Sequence, residues 1–361
     1  MAQDQGIDVK GGVFRNDGAI IWSAMPALGA YVPDSVFLAG AAGAACRGIR
    51  GKRVLDIGSG TGVTTLAISK TCPREIIAVD YSPEITELMN TVLLTGDDLD
   101  AYLEQCNGRL ILGNEPGGLF QTTASYLKFQ RDDFQNGIFR TLGGELQILS
   151  KSALQICESD CGVVDLVVGS HYLHWPVRQM VTEFSKAGIG EAEAVKLACA
   201  QTLAPLAAVL RTGGVMALLT TDDFVMFDDE MDFDNTLGML SWTRHPMARK
   251  AANVMAEILE QYGIEHKPPL RSNTFKMSGM AESLEVSGLQ LESAQYVGTA
   301  VKCDPRWFVA AYPMRLAGYN LTPDQRVSVI EQARDKYFSS LEASDYSLIR
   351  TSLVIFILRK R

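Results

Sequence analysis

Four histidines occur in the chain, at 171, 174, 245 and 266, and two of them share one short segment, Ser170-His171-Tyr172-Leu173-His174-Trp175. An imidazole changes charge near neutral pH, so two in one segment mark a place where a proton is taken from, or held near, a bound molecule. The other concentration of chemistry is Val54-Leu55-Asp56-Ile57-Gly58-Ser59-Gly60-Thr61-Gly62, with a second acid, Asp80, 24 positions after Asp56. Glycines beside two carboxylates let backbone approach a ligand closely. The acids favour a ligand with cationic and hydroxyl groups over the pyrophosphate that a plain glycine turn at a helix start would take.

Both segments sit at ends of apolar runs. RVLDIGS (53 to 59) reads as a strand, and the following GTGVTTLAISKT carries Val63, Leu66 and Ala67 at helical spacing. EIIAVDY (75 to 81) is a second strand, after which Ser82 is placed to cap a helix with Pro83 at its first position. LQILSKS (146 to 152), VVDLVVGS (163 to 170), VMALLTT (215 to 221), LQLESAQYV (289 to 297) and SLVIFILRK (352 to 360) are mostly near-continuous apolar runs, the mark of strands covered on both faces. Between them LAPLAAVLRTGG reads as a helix closing on its glycines, and RKAANVMAEILEQYG places Ala251, Val254, Met255, Ile258, Leu259 and Tyr262 on one helical face. The pattern predicts an α/β fold: a doubly wound, mostly parallel seven-stranded sheet with helices on both faces and a helical lid or cap.

Three segments exceed what that sheet needs, and long connections of this kind are often functional. The expected organisation is an N-terminal helical lid segment over 1–50, a Rossmann-like ligand-binding domain over 51–300 with an insertion at 92–142, and a helical cap plus final strand over 301–361. Within the cap, Thr322 and Gln325 have the spacing of a capping box with Pro323 inside it.

Composition bounds the rest. The chain has 361 residues, 47% hydrophobic and 21% charged, which suits one large domain with insertions or two domains. Lys and Arg total 33 against 42 Asp and Glu, and the net charge of −9 argues against a nucleic-acid partner. The start MAQDQGIDVK has no basic region followed by an apolar one, and no run of about 18 apolar residues goes uninterrupted, so neither a membrane partner nor secretion is expected. Seven scattered cysteines without a Cys-x-x-Cys pair suit a reducing compartment, and the expected location is cytoplasmic. A homo-oligomer is left open. The acidic run from Asp222 to Asp234 reads as a solvated loop, and Cys157-x-x-x-Cys161 lacks a third thiol, so no metal is expected.

The DxGxGxG loop between strand and helix, with Asp80 at the end of the next strand, strongly resembles the first two motifs of class I S-adenosylmethionine (SAM)-dependent methyltransferases. The resemblance implies SAM as cofactor, with Asp56, Gly58, Ser59 and Gly60 around its amino-acid part and Asp80, beside Tyr81, on the ribose hydroxyls. The family places an acid before a small residue after the third strand, near adenine. Here Ser152-Ala153 stands there, a departure from the pattern, while Asp132-Asp133 comes too early. Asp165, inside the fourth strand, reads as structural.

Ser170, a further cofactor-binding candidate, ends the fourth strand, where the methyl group of the cofactor would face. The SHYLHW segment looks like that of small-molecule carboxyl methyltransferases acting on juvenile hormone acid, salicylate-type acids, trans-aconitate and the malonyl carrier protein. In several of those families a Trp at the position of Trp175 holds the substrate carboxylate. LTPDQRVSVIEQARDKY also resembles the helical cap of the trans-aconitate group. The implied function is SAM-dependent methyl transfer to a small-molecule substrate, with carboxylate O-methylation favoured. The alternatives are methylation of a phenol or carbon acid with a histidine base, a rearrangement without methyl transfer, and a noncatalytic cofactor-binding subunit. His171 and His174 are the catalytic candidates. Trp175, Tyr31, Trp242 and Arg244 are the substrate candidates, with His245, Arg306, Trp307 and Tyr312 behind them.

Overall fold

The computed structural model describes residues 18–361 except 96–98, 107–108, 110–111, 114–117, 222–224, 227–239, 242–244, 266–274, 286–287, 303, 311, 313–315, 317–318 and 346–347. Its long strands are β1 (Arg53–Ile57), β2 (Glu75–Asp80), β3 (Glu145–Ser150), β4 (Val164–Ser170), β5 (Leu210–Thr221), β6 (Leu289–Lys302) and β7 (Leu348–Lys360). They lie in the order β3-β2-β1-β4-β5-β7-β6. The pairs among β1 to β5 are parallel, and β7 runs antiparallel to both β5 and β6. A two-residue strand, Leu240–Ser241, extends the sheet beside Ile349 and Arg350. The strand order reverses between β1 and β4, and a crevice for a ligand opens at such a switch point.

Alternation along the strands divides the core in two. Val54, Ile76, Ala78, Leu166, Val168, Ala217 and Leu219 face one side; Leu55, Ile57, Ile77, Val79, Val167, Met216 and Leu218 face the other. A register slip of one residue would send each of these to the wrong core, which fixes the pairing. The principal helices are α1 (Gly18–Ala27), α2 (Val32–Ala45), α3 (Val63–Ser69), α4 (Pro83–Met89), α5 (Leu119–Gln135), α6 (His174–Lys186), α7 (Glu191–Val209), α8 (Pro246–Gln261) and α9 (Pro323–Ser339). The first face is covered by α1 to α5, α8 and α9, and the second by α6 and α7. The described helices of all three extra segments therefore gather on one side of the sheet. Among the described residues, only α7 is long and apolar enough to cross a membrane by length and composition, and here it buries Ala194, Val195, Ala198, Leu203 and Leu206 in the second core.

Local chemistry sets several boundaries. Ser82 accepts the Ile85 N–H at the start of α4, with Pro83 behind it, and Thr322 and Gln325 form a reciprocal capping box on α9. Past α4 the chain winds through a π-helical turn, Asn90–Thr95, whose Leu93 and Leu94 carbonyls accept from the Gln135 side chain of α5. One expectation is corrected. The glycines of LRTGG do not close a helix, because α7 stops at Val209 and β5 begins at Leu210. Between the pairs Val164↔Leu210 and Leu166↔Val215 these residues form a bulge, and Arg359 and Lys360 of β7 donate to the Gly213 and Leu210 carbonyls.

Candidate cofactor and acceptor site

Beyond Ile57 the chain turns through three glycines in the left-handed region, Gly58 (φ 60°), Gly60 (φ 53°) and Gly62 (φ 86°). They are glycine for different reasons. A Cβ on Gly58 would stand 3.0 Å from the Tyr172 ring and one on Gly62 would stand 2.9 Å from Leu93, whereas one on Gly60 would meet nothing within 4 Å. Gly60 is therefore the point where a ligand can lie against bare backbone. The loop is held from beneath: Ser59 N–H donates to the Val79 carbonyl, its hydroxyl points to Met89 Sδ at 3.6 Å, and Gln130 of α5 donates to the Thr61 carbonyl at 2.9 Å.

Two buried acids flank this loop. Asp80 Oδ2 accepts the Gly60 N–H and Oδ1 the Ser82 N–H, each at 3.0 Å. Burial raises the Asp80 pKa above the usual carboxylate value, and its backbone N–H partners pull it back. Asp56 is fully buried; its Oδ2 accepts the Thr65 hydroxyl at 2.6 Å, and its Oδ1 accepts nothing from the described residues. Desolvation pushes the Asp56 carboxyl up to about 7, with the Thr65 bond acting the other way and the Asp80 charge adding to the rise. A buried acceptor without a donor is costly, and a ligand bringing a cationic or hydroxyl donor would relieve it.

The second half of the site forms where β4 ends. Ser170 Oγ is buried with no hydrogen-bond partner among the described residues. His171 comes next in a left-handed conformation (φ 56°), its N–H fixed to the Leu219 carbonyl and its Nε2 2.9 Å from Asp34 Oδ2. Asp34 lies in the first turn of α2, which starts after Tyr31, itself at φ 64°. The Tyr31 and His171 rings meet edge to face at 4.9 Å, His171 and His174 lie 6.4 Å apart, and His174 and Trp175 lie 5.1 Å apart. Next to Asp34, Ser35 shares a hydrogen bond of 2.9 Å with Thr64 of α3. The start of α2 is thus tied to both sides of the switch point, to α3 after β1 and to His171 after β4.

The other expected site residues divide between the crevice and the scaffold. Burial pushes His174 down to about 3, with the His171 and Arg178 charges acting in the same direction, so it is neutral at physiological pH. Trp175 is 55% exposed and Tyr81 60% exposed. Ser152 caps a short turn through the Leu154 N–H, Ala153 is buried, and the preceding Lys151 N–H bonds to the Asp80 carbonyl, which puts both residues just past the end of β2. Trp242 and Arg244 lie outside the described residues, as does His266 and much of the acidic run. His245 caps α8, Trp307 donates to the Leu28 carbonyl, Tyr312 donates to the Ala251 carbonyl, and Arg306 pairs with Asp304. Asp165 accepts the Arg53 N–H and pairs with Arg211, the structural role expected of it. Asp132 and Asp133 pair with Arg131 and Lys70. Among the described residues no three His, Cys, Asp or Glu side chains group as metal ligands, and six cysteines are free thiols.

Asp34, Thr65, Gln130 and Tyr172 were not singled out by the sequence. Asp34 carried a usable signal, a lone acid in an Ala- and Gly-rich helix, but its partner is 137 positions away.

No family model matches the chain, and no curated protein matches it. Solved structures align with it at low identity and with TM-scores below 0.5. The YcgJ protein of Bacillus subtilis is 14% identical, with 90% of this chain and 98% of that one covered at a TM-score of 0.41. The [4+2]-cyclase SpnF is 12% identical, covering 90% and 80% at 0.38. A geranyl diphosphate methyltransferase in complex with SAM is 12% identical, covering 91% and 85% at 0.36. The fold class itself rests on the strand order.

Proposed function

We propose that the chain is a SAM-dependent methyltransferase acting on a small-molecule acceptor. The observation that carries this reading is the pair of buried acids around an open glycine: Asp56 with an unsatisfied Oδ1, and Asp80 holding Gly60 where a Cβ would meet nothing. SAM has the matching parts, a cationic amino-acid end and a ribose. In this reading Asp56, Gly58, Ser59 and Gly60 hold the amino-acid end, Asp80 the ribose with lone pairs not used by Gly60 and Ser82, and Tyr81, Ser152 and Ala153 the base. Bound SAM supplies an electrophilic methyl group on a positive sulfur. The protein's part is to align the acceptor and exclude water.

In this reading Ser170 stays with the cofactor, and the acceptor side is His171, His174, Trp175 and Tyr31. A carboxylate acceptor, implied by the resemblance of SHYLHW, is ionised at neutral pH and needs only donors such as the Trp175 indole. A hydroxyl acceptor needs a base. Calorimetric titration with S-adenosylhomocysteine (SAH), with mass spectrometry of copurifying small molecules, tests the cofactor assignment. Micromolar binding is expected, and its absence overturns the reading.

A further inference from the structure

We infer that Asp34 orients His171 as a general base, so that the acceptor is a hydroxyl, phenolic or of similar acidity, rather than a carboxylate. This rests on the methyltransferase reading and deepens its acceptor side.

Asp34 Oδ2 lies 2.9 Å from His171 Nε2, and a carboxylate oxygen accepts, so in a neutral imidazole this pairing puts the hydrogen on Nε2 and leaves the Nδ1 lone pair as the acceptor. Asp34 and His171 come from elements 137 positions apart and are both shielded, with side chains 9% and 16% exposed, which distinguishes the pair from a solvated surface contact. The geometry is also held under strain. His171 and Tyr31 both have positive φ without being glycine, and their rings touch. Such outliers persist where surrounding structure over-determines them, and they cluster at sites of chemistry. Finally, the pair is at the switch point: His171 lies between the last residue of β4 and Tyr172, which packs against Gly58, while Ser35 fixes α2 to Thr64.

A fixed carboxylate next to an imidazole is what a base needs and what an anionic substrate would be repelled by. Asp34 stabilises the imidazolium that forms, while a carboxylate acceptor has no proton to give at neutral pH. Atoms and charge balance in the transfer. The acceptor O–H proton passes to His171 Nδ1, the oxygen electron pair forms the new C–O bond, the S–CH3 pair stays with sulfur, and the positive charge ends on imidazole, which returns its proton to water. His171 is the catalytic residue; Asp34 is a positioning residue.

The test uses the full chain. Wild type and Asp34→Asn should bind SAH equally; failure of wild type to bind removes the cofactor reading, and calorimetry shows this independently of the histidine tautomer and of turnover. Long-range proton–nitrogen NMR of the histidine rings in the SAH complex, assigned with His171→Asn, should show the Nε2–H form in wild type and its loss in Asp34→Leu, which has no acceptor to hold that hydrogen. A hydrogen on Nδ1, or no change in the variant, overturns the inference. Methyl-labelled SAM incubated with a small-molecule extract of the source cells should give alkali-stable product. Label released by alkali as methanol marks an ester and overturns it, and no transfer despite SAH binding overturns methyl transfer and the base together. On the labelled acceptor, Asp34→Asn should lower kcat about 100-fold or more with the KM for SAM unchanged, and Asp34→Glu should restore part of it; an unchanged kcat overturns the role. If Asp34→Asn fails to fold, the wild-type tautomer and the product's stability to alkali decide.

Discussion

Gly60 gives its backbone N–H to Asp80 Oδ2 at 3.0 Å, so the glycine that opens the loop is held by the acid that ends β2. The same carboxylate takes the Ser82 N–H that begins the next helix. Asp80→Ala removes both acceptors at once. Two shielded donors lose their partner, which costs about 1–3 kcal/mol of stability, and SAH affinity falls at least about tenfold as the ribose acceptor goes. Thermal unfolding and calorimetry read the two effects separately. Unaltered SAH affinity would place the ribose elsewhere.

The three loop glycines separate fold from binding. Gly62→Ala drives a methyl to 2.9 Å from Leu93 and 3.3 Å from Met89 in addition to its backbone strain, so it should destabilise the chain by roughly 2–4 kcal/mol. Gly60→Ala meets no atom and carries only the left-handed strain of about 1–2 kcal/mol. It nevertheless fills the space where the ligand lies, and it should abolish measurable SAH binding in a folded protein. A Gly60→Ala variant that binds normally would show that the open side of the loop is not the cofactor side.

Asp56 makes the site sensitive to pH in a direction that can be worked out. Its carboxyl titrates at about 7 in the folded chain, above the ordinary 3.8. Between those values the folded chain holds a proton that the unfolded chain has released. Stability from this group is therefore full below about pH 4 and declines as pH rises to about 7, with a slope of up to about 1.4 kcal/mol per unit. A ligand ammonium favours the ionised form. SAH binding at pH 6 should then release a proton, and affinity should rise toward pH 7 and level above it. Calorimetry in buffers of different ionisation heat measures the proton count, and proton-neutral binding at pH 6 would put the ammonium away from Asp56.

Half of the site is local in sequence, and that half was legible. The strand, glycine loop, helix and Asp80 lie within one β–α–β unit, and Ser82 announces the next helix by its cap. Positions where two periods compete were not. Leu210 and the glycines after it look like a helix end, and only the β4 register and the cations of β7 make them a bulge. The acceptor half is assembled by contacts between distant segments. His171 was legible as chemistry, but its partner Asp34 looked like one acid in an apolar helix, and the contact exists because α2 crosses β4 and β5 on the first face. Likewise the sequence shows the Trp307 and Tyr312 rings but not the Leu28 and Ala251 carbonyls that take their polar ends.

Gln130 ties the 92–142 segment to the cofactor loop. Its Nε2 bonds the Thr61 carbonyl at 2.9 Å across 69 positions, and its Oε1 is buried without a partner among the described residues. α5 therefore backs the loop at Thr61 and Gly62. Gln130→Met keeps length and removes both polar groups. The Thr61 carbonyl loses its donor while the orphaned oxygen disappears, so the net cost should be modest, about 1 kcal/mol in thermal or denaturant unfolding. The loss of restraint should show more strongly in the loop: faster amide hydrogen exchange at Ser59 to Val63 and a several-fold weaker SAH affinity. Unchanged exchange and affinity would mean that the loop is rigid through Asp80 and Val79 alone, and that α5 only covers the sheet.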